Sequence, residues 1–340
     1  MRIEILGSGV SGLCCAHAFV ERGCEVTVIS ASDALDSTCC SWWAGGMLAP
    51  GCEGENTEPL IASLGAESMA FWQSIAPDYA TAGTLVVATS RDQPLLNNFA
   101  RNTQGWQTIE GEQMAGLEPD LAERFNKGLL FSDEAHLDPR QTLNQLIDDL
   151  KNSGVKFEQG QIDDSPGNDY SSSELASDVD WVIDCRGLGA RHHLTDLRGV
   201  KGEMLHIHSR DIHLSRPVRL LHPRIPLYIV PRANGVFMIG ATMIESTERK
   251  HASVRSVLEL LSAAYALHPA FGEAEILEIG VEARPAFTDN LPRLRRRGKT
   301  LSVNGMYRHG FLAAPAMARR CVAFALDGII PTEVMDENTA

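Results

Sequence analysis

Gly7-Ser8-Gly9-Val10-Ser11-Gly12 fits the pattern GxGxxG. A β-rich run, RIEIL, precedes it at 2–6, and helix-like sequence follows from Val10 to about Arg22, closed by Gly23. In that setting each glycine has a task. The first permits a tight turn, the second lets a pyrophosphate approach the backbone, and the third lets helix and strand pack closely. The helix N-terminus then faces the phosphates. A ligand-free glycine turn would explain the residues alone; the strand before and the helix after point to dinucleotide binding. One part of the fingerprint is absent. An acid is expected about 20 residues on, at the end of the second strand, to bind ribose hydroxyls. Ser30 stands there, with Asp33 just beyond. A serine hydroxyl can still bond a ribose, more weakly than a carboxylate.

Arg284 and Arg308 are the candidates for holding a substrate. A guanidinium fork matches a carboxylate bidentately. Alternation puts Arg284 on the polar face of its strand, with Glu278 and Glu282. By residue type alone, a surface salt bridge explains an arginine better. By the same standard Tyr228 and Met243 are core residues, and His222 and His309 could reach a pocket, although a proton relay is not the favoured reading. Arg293, Arg295, Arg296 and Arg297 read as a solvated basic loop. Nothing has the spacing of a metal site.

In SWWAGGMLAP (41–50), the small residues 44–46 would let the backbone lie against a planar ring. With this stretch the chain resembles the D-amino-acid-oxidase-like flavoprotein family and, within it, the glycine oxidases of thiamine biosynthesis. VKGEML (200–205), LYIVPRANGVFMIGATM (227–243), RPAFTDNLPR (284–293) and YRHGFLAAPA (307–316) look like that family's segments, in its order. The resemblance spans nearly the whole chain.

The resemblance implies an extended FAD. Its pyrophosphate would lie at Gly7, Gly9, Val10, Ser11 and Gly12, its adenosine side at Ser30, Ala31 and Ile162. Cys40, Ser41, Gly45, Gly46, Met47 and Gly187 would line the cofactor. So would Met306, Tyr307, Arg308, His309, Gly310, Phe311 and Leu312, a loop opening a helix whose positive end can stabilise negative charge on a reduced ring. Arg284 would hold the substrate carboxylate, assisted by Arg308 and Tyr228, with Met243 in the pocket. The implied activity is oxidation of a small amino acid, glycine first, to its imine and then glyoxylate. Dioxygen would be the acceptor and hydrogen peroxide a product, and the imine or glyoxylate would serve thiazole formation. Sarcosine, proline or a D-amino acid are the rival substrates, and a quinone or partner protein the rival acceptor. With a neutral amine, hydride leaves Cα directly, so no side-chain base is required and none stands out.

The elements that must position these residues follow from periodicity. RIEIL, the helix after it and EVTVI (25–29) make a βαβ opening, which predicts a parallel sheet. Apolar residues from Pro59 to Trp72 recur at helical spacing. Asp138-Pro139 reads as an N-cap and first-turn proline for a helix from Arg140 to about Asn152, with a strand at Val155–Phe157. Residues 163–178 are polar and turn-rich. DWVIDC (180–185) is a strand entering a turn at Gly187 and Gly189. Residues 200–245 read as antiparallel strands, with LYIVP and VFMIG flanking a hairpin turn at Ala233-Asn234-Gly235. A helix at Ser253–Leu267, a strand at Glu275–Ala283, a strand at Thr300–Val303 and a helix at about Leu312–Leu326 complete the chain. The expected fold is α/β: a Rossmann-like FAD-binding domain (1–76, 137–199 and 286–335) interrupted by a mostly antiparallel β substrate domain (77–136 and 200–285).

Composition agrees. The 340 residues carry 30 Lys+Arg against 44 Asp+Glu, a formal charge of −14, which argues against a nucleic-acid binder. Eight cysteines are too sparse for a disulfide scaffold and fit a reducing cytoplasm. The apolar N-terminus is broken by Glu4 and three glycines, so it reads as strand, turn and helix, not as a signal peptide. No run suits a membrane span. Association into a homo-oligomer is left open.

Overall fold

The computed structural model describes residues 1–32, 35–54, 59–160 and 178–336. A six-stranded sheet runs in the order Arg293–Arg297, Thr300–Asn304, Trp181–Asp184, Arg2–Leu6, Glu25–Ser30, Lys156–Gln159. The last five strands are parallel, with Arg293–Arg297 antiparallel at one edge. Both faces are covered, so these strands are short apolar runs: Ile3, Ile5, Val26, Val28 and Ile183 are all buried. Helix Val10–Glu21 packs against helix Gly310–Asp327, and its Leu13, Cys14, Cys15, Ala16 and Phe19 are buried. Gly12 makes the turn into the first helix compact, since a Cβ there would lie 1.9 Å from the Gly7 carbonyl oxygen. Asp138 caps helix Pro139–Asn152, its Oδ1 accepting from the amides of Arg140 at 2.9 Å and Gln141 at 3.3 Å.

A nine-stranded sheet forms the other layer. Its order is Ile244–Glu245, Arg198–His208, Val236–Gly240, Leu227–Pro231, Val218–Leu221, Thr84–Ala88, Lys127–Phe131, Gln107–Glu110, with Glu275–Ala286 also paired to Arg198–His208. Pairing is antiparallel except between Thr84–Ala88 and Val218–Leu221. Helix Val254–Leu267 covers one face with Leu260, Ala263, Ala264 and Leu267. The α/β reading, a parallel sheet joined to a mostly antiparallel one, is the observed architecture.

The structure departs from these expectations at four places. Thr84–Ala88 is buried at every position, so it lacks the alternation that reveals a strand. The basic run is a paired edge strand, not a solvated loop: Arg293 bonds Asp336 at 2.9 Å, and Arg295 bonds Asp196 at 2.6 Å and Asp336 at 2.7 Å. On the strand Glu275–Ala286, Leu277 and Ile279 are exposed where alternation alone would bury them. Helix Gly310–Asp327 starts earlier than its apolar pattern suggests. Ile162, Asp33 and nearly all of the polar segment 163–178 lie outside the described residues. No helix among those described is long and apolar enough to cross a membrane.

Candidate active site

A cavity of about 820 Å³ is lined from both sheets, within the usual ~300–1,000 Å³ range of ligand sites. Two helix N-termini open into it. Helix Val10–Glu21 begins at Gly9 and helix Gly310–Asp327 at His309; neither starting residue caps with its side chain, and neither first turn holds an acid. No acid of either first turn offsets their positive ends, although Glu53 lies 3.8 Å from the His309 ring at the second. At the first end the Ser41 Oγ accepts from the Val10 amide at 3.1 Å.

The expected cofactor residues gather here. Gly7, Gly9, Val10, Ser11, Ser30, Ala31, Cys40, Ser41, Gly45, Gly46, Met47, Gly187 and all of Met306–Leu312 line the cavity, while Gly12 lies behind the turn. Gly7 has φ +101°, and a Cβ there would come 2.9 Å from the Cys185 carbonyl oxygen, so no other residue fits easily. The loop 40–47 is held from the far side. Arg232 donates to the Gly45 carbonyl at 2.7 Å, and Trp43 lies so close to Gly280 that a Cβ there would fall 2.2 Å from its ring. Arg140 sits 4.4 Å and 5.0 Å from the ring centroids of Trp42 and Trp43 and pairs with Glu278 at 2.7 Å. The Ser30 hydroxyl donates to the Ser32 carbonyl at 2.5 Å, so its proton is already committed. Side-chain-free backbone at the turn, two positive helix ends and a cavity lined from both sheets fit a dinucleotide with a charged pyrophosphate.

Five arginines line the cavity, three of them paired with carboxylates. Arg186 pairs with Asp184 at 2.8 Å, Arg249 with Glu282 at 2.8 Å, and Arg308 with Glu53, its Nε at 3.1 Å. Arg219 donates to the Cys52 carbonyl at 3.2 Å and lies 5.0 Å over the Phe99 ring. Arg284 has no carboxylate partner among the described residues; its Nη1 donates to the Thr242 carbonyl at 3.0 Å. Tyr228 is beside it. Burial pushes that phenol up, against the pull of Arg284 and Arg308, so the hydroxyl stays protonated. Met243 is half exposed at the rim, its sulfur 3.2 Å from the Tyr307 hydroxyl.

Glu53 escaped sequence reasoning, because an acid in a turn-rich stretch has no signature; the topology alone brings it to Arg308. Burial would raise its carboxyl, but Arg308, His309 and Arg219 outweigh that and hold it at about 2. Burial also drops His309 to about 4. At neutral pH Glu53 is therefore an anion and His309 a neutral imidazole, and neither is tuned as a base. Among the described residues no cluster could hold a metal ion.

Comparison with known proteins agrees with this geometry. The family described as FAD dependent oxidoreductase, DAO, matches residues 2–323. A Rhizobium etli protein named for thiamine biosynthesis, as the oxidoreductase ThiO, is 47% identical over 319 residues, 94% of each chain. The crystal structure of glycine oxidase from Geobacillus kaustophilus superposes with a TM-score of 0.78 at 21% identity, covering 95% of this chain and 94% of that one. Iminodiacetate oxidase from Chelativorans superposes with a TM-score of 0.78 at 19% identity, covering 98% and 97%. Those two likenesses speak for the fold; the family match and the R. etli relative speak for descent. The chain belongs to the DAO family of FAD-dependent oxidoreductases, and FAD is its cofactor.

Proposed function

We propose that this oxidoreductase oxidises glycine for thiamine biosynthesis: glycine, dioxygen and water give glyoxylate, ammonia and hydrogen peroxide. One observation carries the reading. Arg186, Arg249 and Arg308 have carboxylate partners and Arg219 is turned onto a carbonyl and a ring, whereas Arg284 has no carboxylate among the described residues. A lone guanidinium fork in a partly desolvated wall suits one substrate carboxylate. Two relatives support the choice of substrate, one named ThiO and one named glycine oxidase.

FAD, when bound, supplies the two-electron acceptor. The chain's own residues bind and orient. Arg284 takes the carboxylate while the Thr242 carbonyl fixes the angle of its fork. The protonated Tyr228 hydroxyl offers a neutral hydrogen bond beside it. Met243 and Tyr307 border the rim. In this division of labour, residues 1–76, 137–199 and 286–335 hold FAD, and 77–136 and 200–285 shape the substrate end. Eight free cysteines are consistent with work in the cytoplasm.

The test is a panel of amino acids offered to the purified yellow protein, with peroxide and keto-acid readouts. Glycine and sarcosine should turn over with peroxide in equal amount. A panel that yields no peroxide and no keto acid overturns the reading; turnover only with a quinone or dye transfers it to a dehydrogenase.

A further inference from the structure

We infer that Glu53 sets the charge class of the substrate: by holding Arg308 it leaves the cavity one seat for an anion, at Arg284, and excludes amines that carry a second carboxylate. The inference rests on the small-amino-acid reading above and names a residue that reading does not use.

Arg284 and Arg308 both line the cavity, so the site contains two guanidinium forks. They are not equivalent. Glu53 engages Arg308 through both Nε and Nη2, which occupies one full edge of the fork. The remaining Nη1 faces the Met243 sulfur at 3.8 Å, a weak acceptor. The Glu53 and Arg308 side chains are only 19% and 23% exposed, so water and salt screen the pair poorly.

Glu53 is also prevented from moving aside. It ends the short helix Pro50–Glu53, and the residue before it is tied at both backbone groups. The Cys52 amide donates to Glu134 Oε1 at 2.7 Å, and its carbonyl accepts from Arg219 at 3.2 Å. A substrate bearing a second carboxylate would meet the Glu53 charge and find the Arg308 fork already filled. A substrate with one carboxylate asks nothing of Arg308. Discrimination then comes from a built-in repulsion as well as from the attractive contact at Arg284.

Sarcosine and iminodiacetate test this directly. Both are secondary amines with a glycyl carboxylate; iminodiacetate carries a carboxylate where sarcosine carries hydrogen on its methyl. The wild-type holoenzyme should favour sarcosine strongly in kcat/KM. In Glu53→Gln, which keeps the shape and removes the charge, that preference should shrink by about 10- to 100-fold, through a lower KM for iminodiacetate. A binding readout accompanies it: followed by the flavin spectrum, malonate should bind Glu53→Gln more tightly than wild type by a similar factor, while acetate changes much less.

If Glu53→Gln does not accumulate with FAD, Glu53→Asp draws the carboxylate back by one methylene and should shift the same ratio by about threefold. An unchanged substrate ratio with no gain in malonate affinity overturns the inference. So does a wild-type enzyme that takes iminodiacetate as readily as sarcosine. Failure of the wild type to oxidise either glycine or sarcosine is a different result and overturns the proposed function.

Discussion

Gly202 and Arg284 lie diagonally across paired strands, and the guanidinium occupies the space a side chain at 202 would need. A Cβ on Gly202 would fall 2.4 Å from Arg284 Nη2 and 2.5 Å from Cζ. The absence of one methyl group is therefore part of what aims the fork. Gly202→Ala should displace the Arg284 head group and lower kcat/KM for glycine by about 10- to 100-fold, mainly through KM, with FAD retained. Steady-state kinetics with a flavin spectrum checks this; unaltered kinetics would mean the fork works equally well elsewhere.

Removal of the fork itself should cost more. Arg284→Ala leaves a substrate carboxylate buried without a partner, a loss of roughly 2–5 kcal/mol in kcat/KM, or about 30- to several-thousand-fold. Arg284→Lys should recover part of it, because a point charge lacks the fork. FAD content should stay near wild type. Near-normal glycine turnover by FAD-loaded Arg284→Ala would remove the clamp from this account.

Ser30 lines the cavity with its hydroxyl proton already given to the Ser32 carbonyl. Ser30→Glu supplies the carboxylate that dinucleotide-binding strands usually end with. It should tighten FAD binding by about 1–3 kcal/mol, measured by equilibrium binding to the apoprotein. Unchanged or weaker affinity would show that the ribose is held from another side.

Glu134 should make stability depend on pH. Burial raises its carboxyl to about 7, with the Glu53 charge adding to it, against the pull of Thr84 and Cys52, which favour the anion. The folded state then binds more protons than the unfolded chain between the ordinary glutamate value and about 7. Stability is greatest below that window and falls as pH rises through it, by an amount on the order of 3 kcal/mol. Glu134→Gln removes the dependence. Melting of both proteins at pH 5 and pH 8 should show the variant gaining on wild type at the higher pH; parallel shifts would contradict it.

FAD should come away on denaturation. Burial keeps the thiols of Cys39 and Cys40 protonated, with Cys40 pushed up to about 12, and the hydrogen bond with Cys15 together with burial pushes Cys185 up as well, so none of these three cavity-lining cysteines offers a thiolate to the ring. Yellow colour that stays with the unfolded polypeptide would contradict this.

Much of the fold was legible because its signals are local. The strand, glycine turn and helix of residues 2–21 follow from short-range periodicity, and Asp138-Pro139 marks a helix start by its own chemistry. The three strands between 84 and 131 were not legible. Thr84–Ala88 is buried throughout, and Gln107–Glu110 is short and mostly exposed, so neither carries a period. In the site, the two arginines were found by type and family likeness. Their unequal status was not, because it depends on Glu53, far away in sequence and brought to Arg308 only by the packing of two layers.

The cavity proposed to cradle the cofactor draws on early, middle and late parts of the sequence: the turn at Gly7–Gly9, the loop at 40–47 held by Arg232 and Trp43, and the helix start at Gly310. This has a consequence for synthesis. A growing polypeptide that has released its first 150 residues presents the glycine turn but neither the Arg232 brace nor the second helix end. FAD loading must therefore wait until almost the entire protein has left the ribosome, and truncated products should emerge colourless however well their first strands have formed.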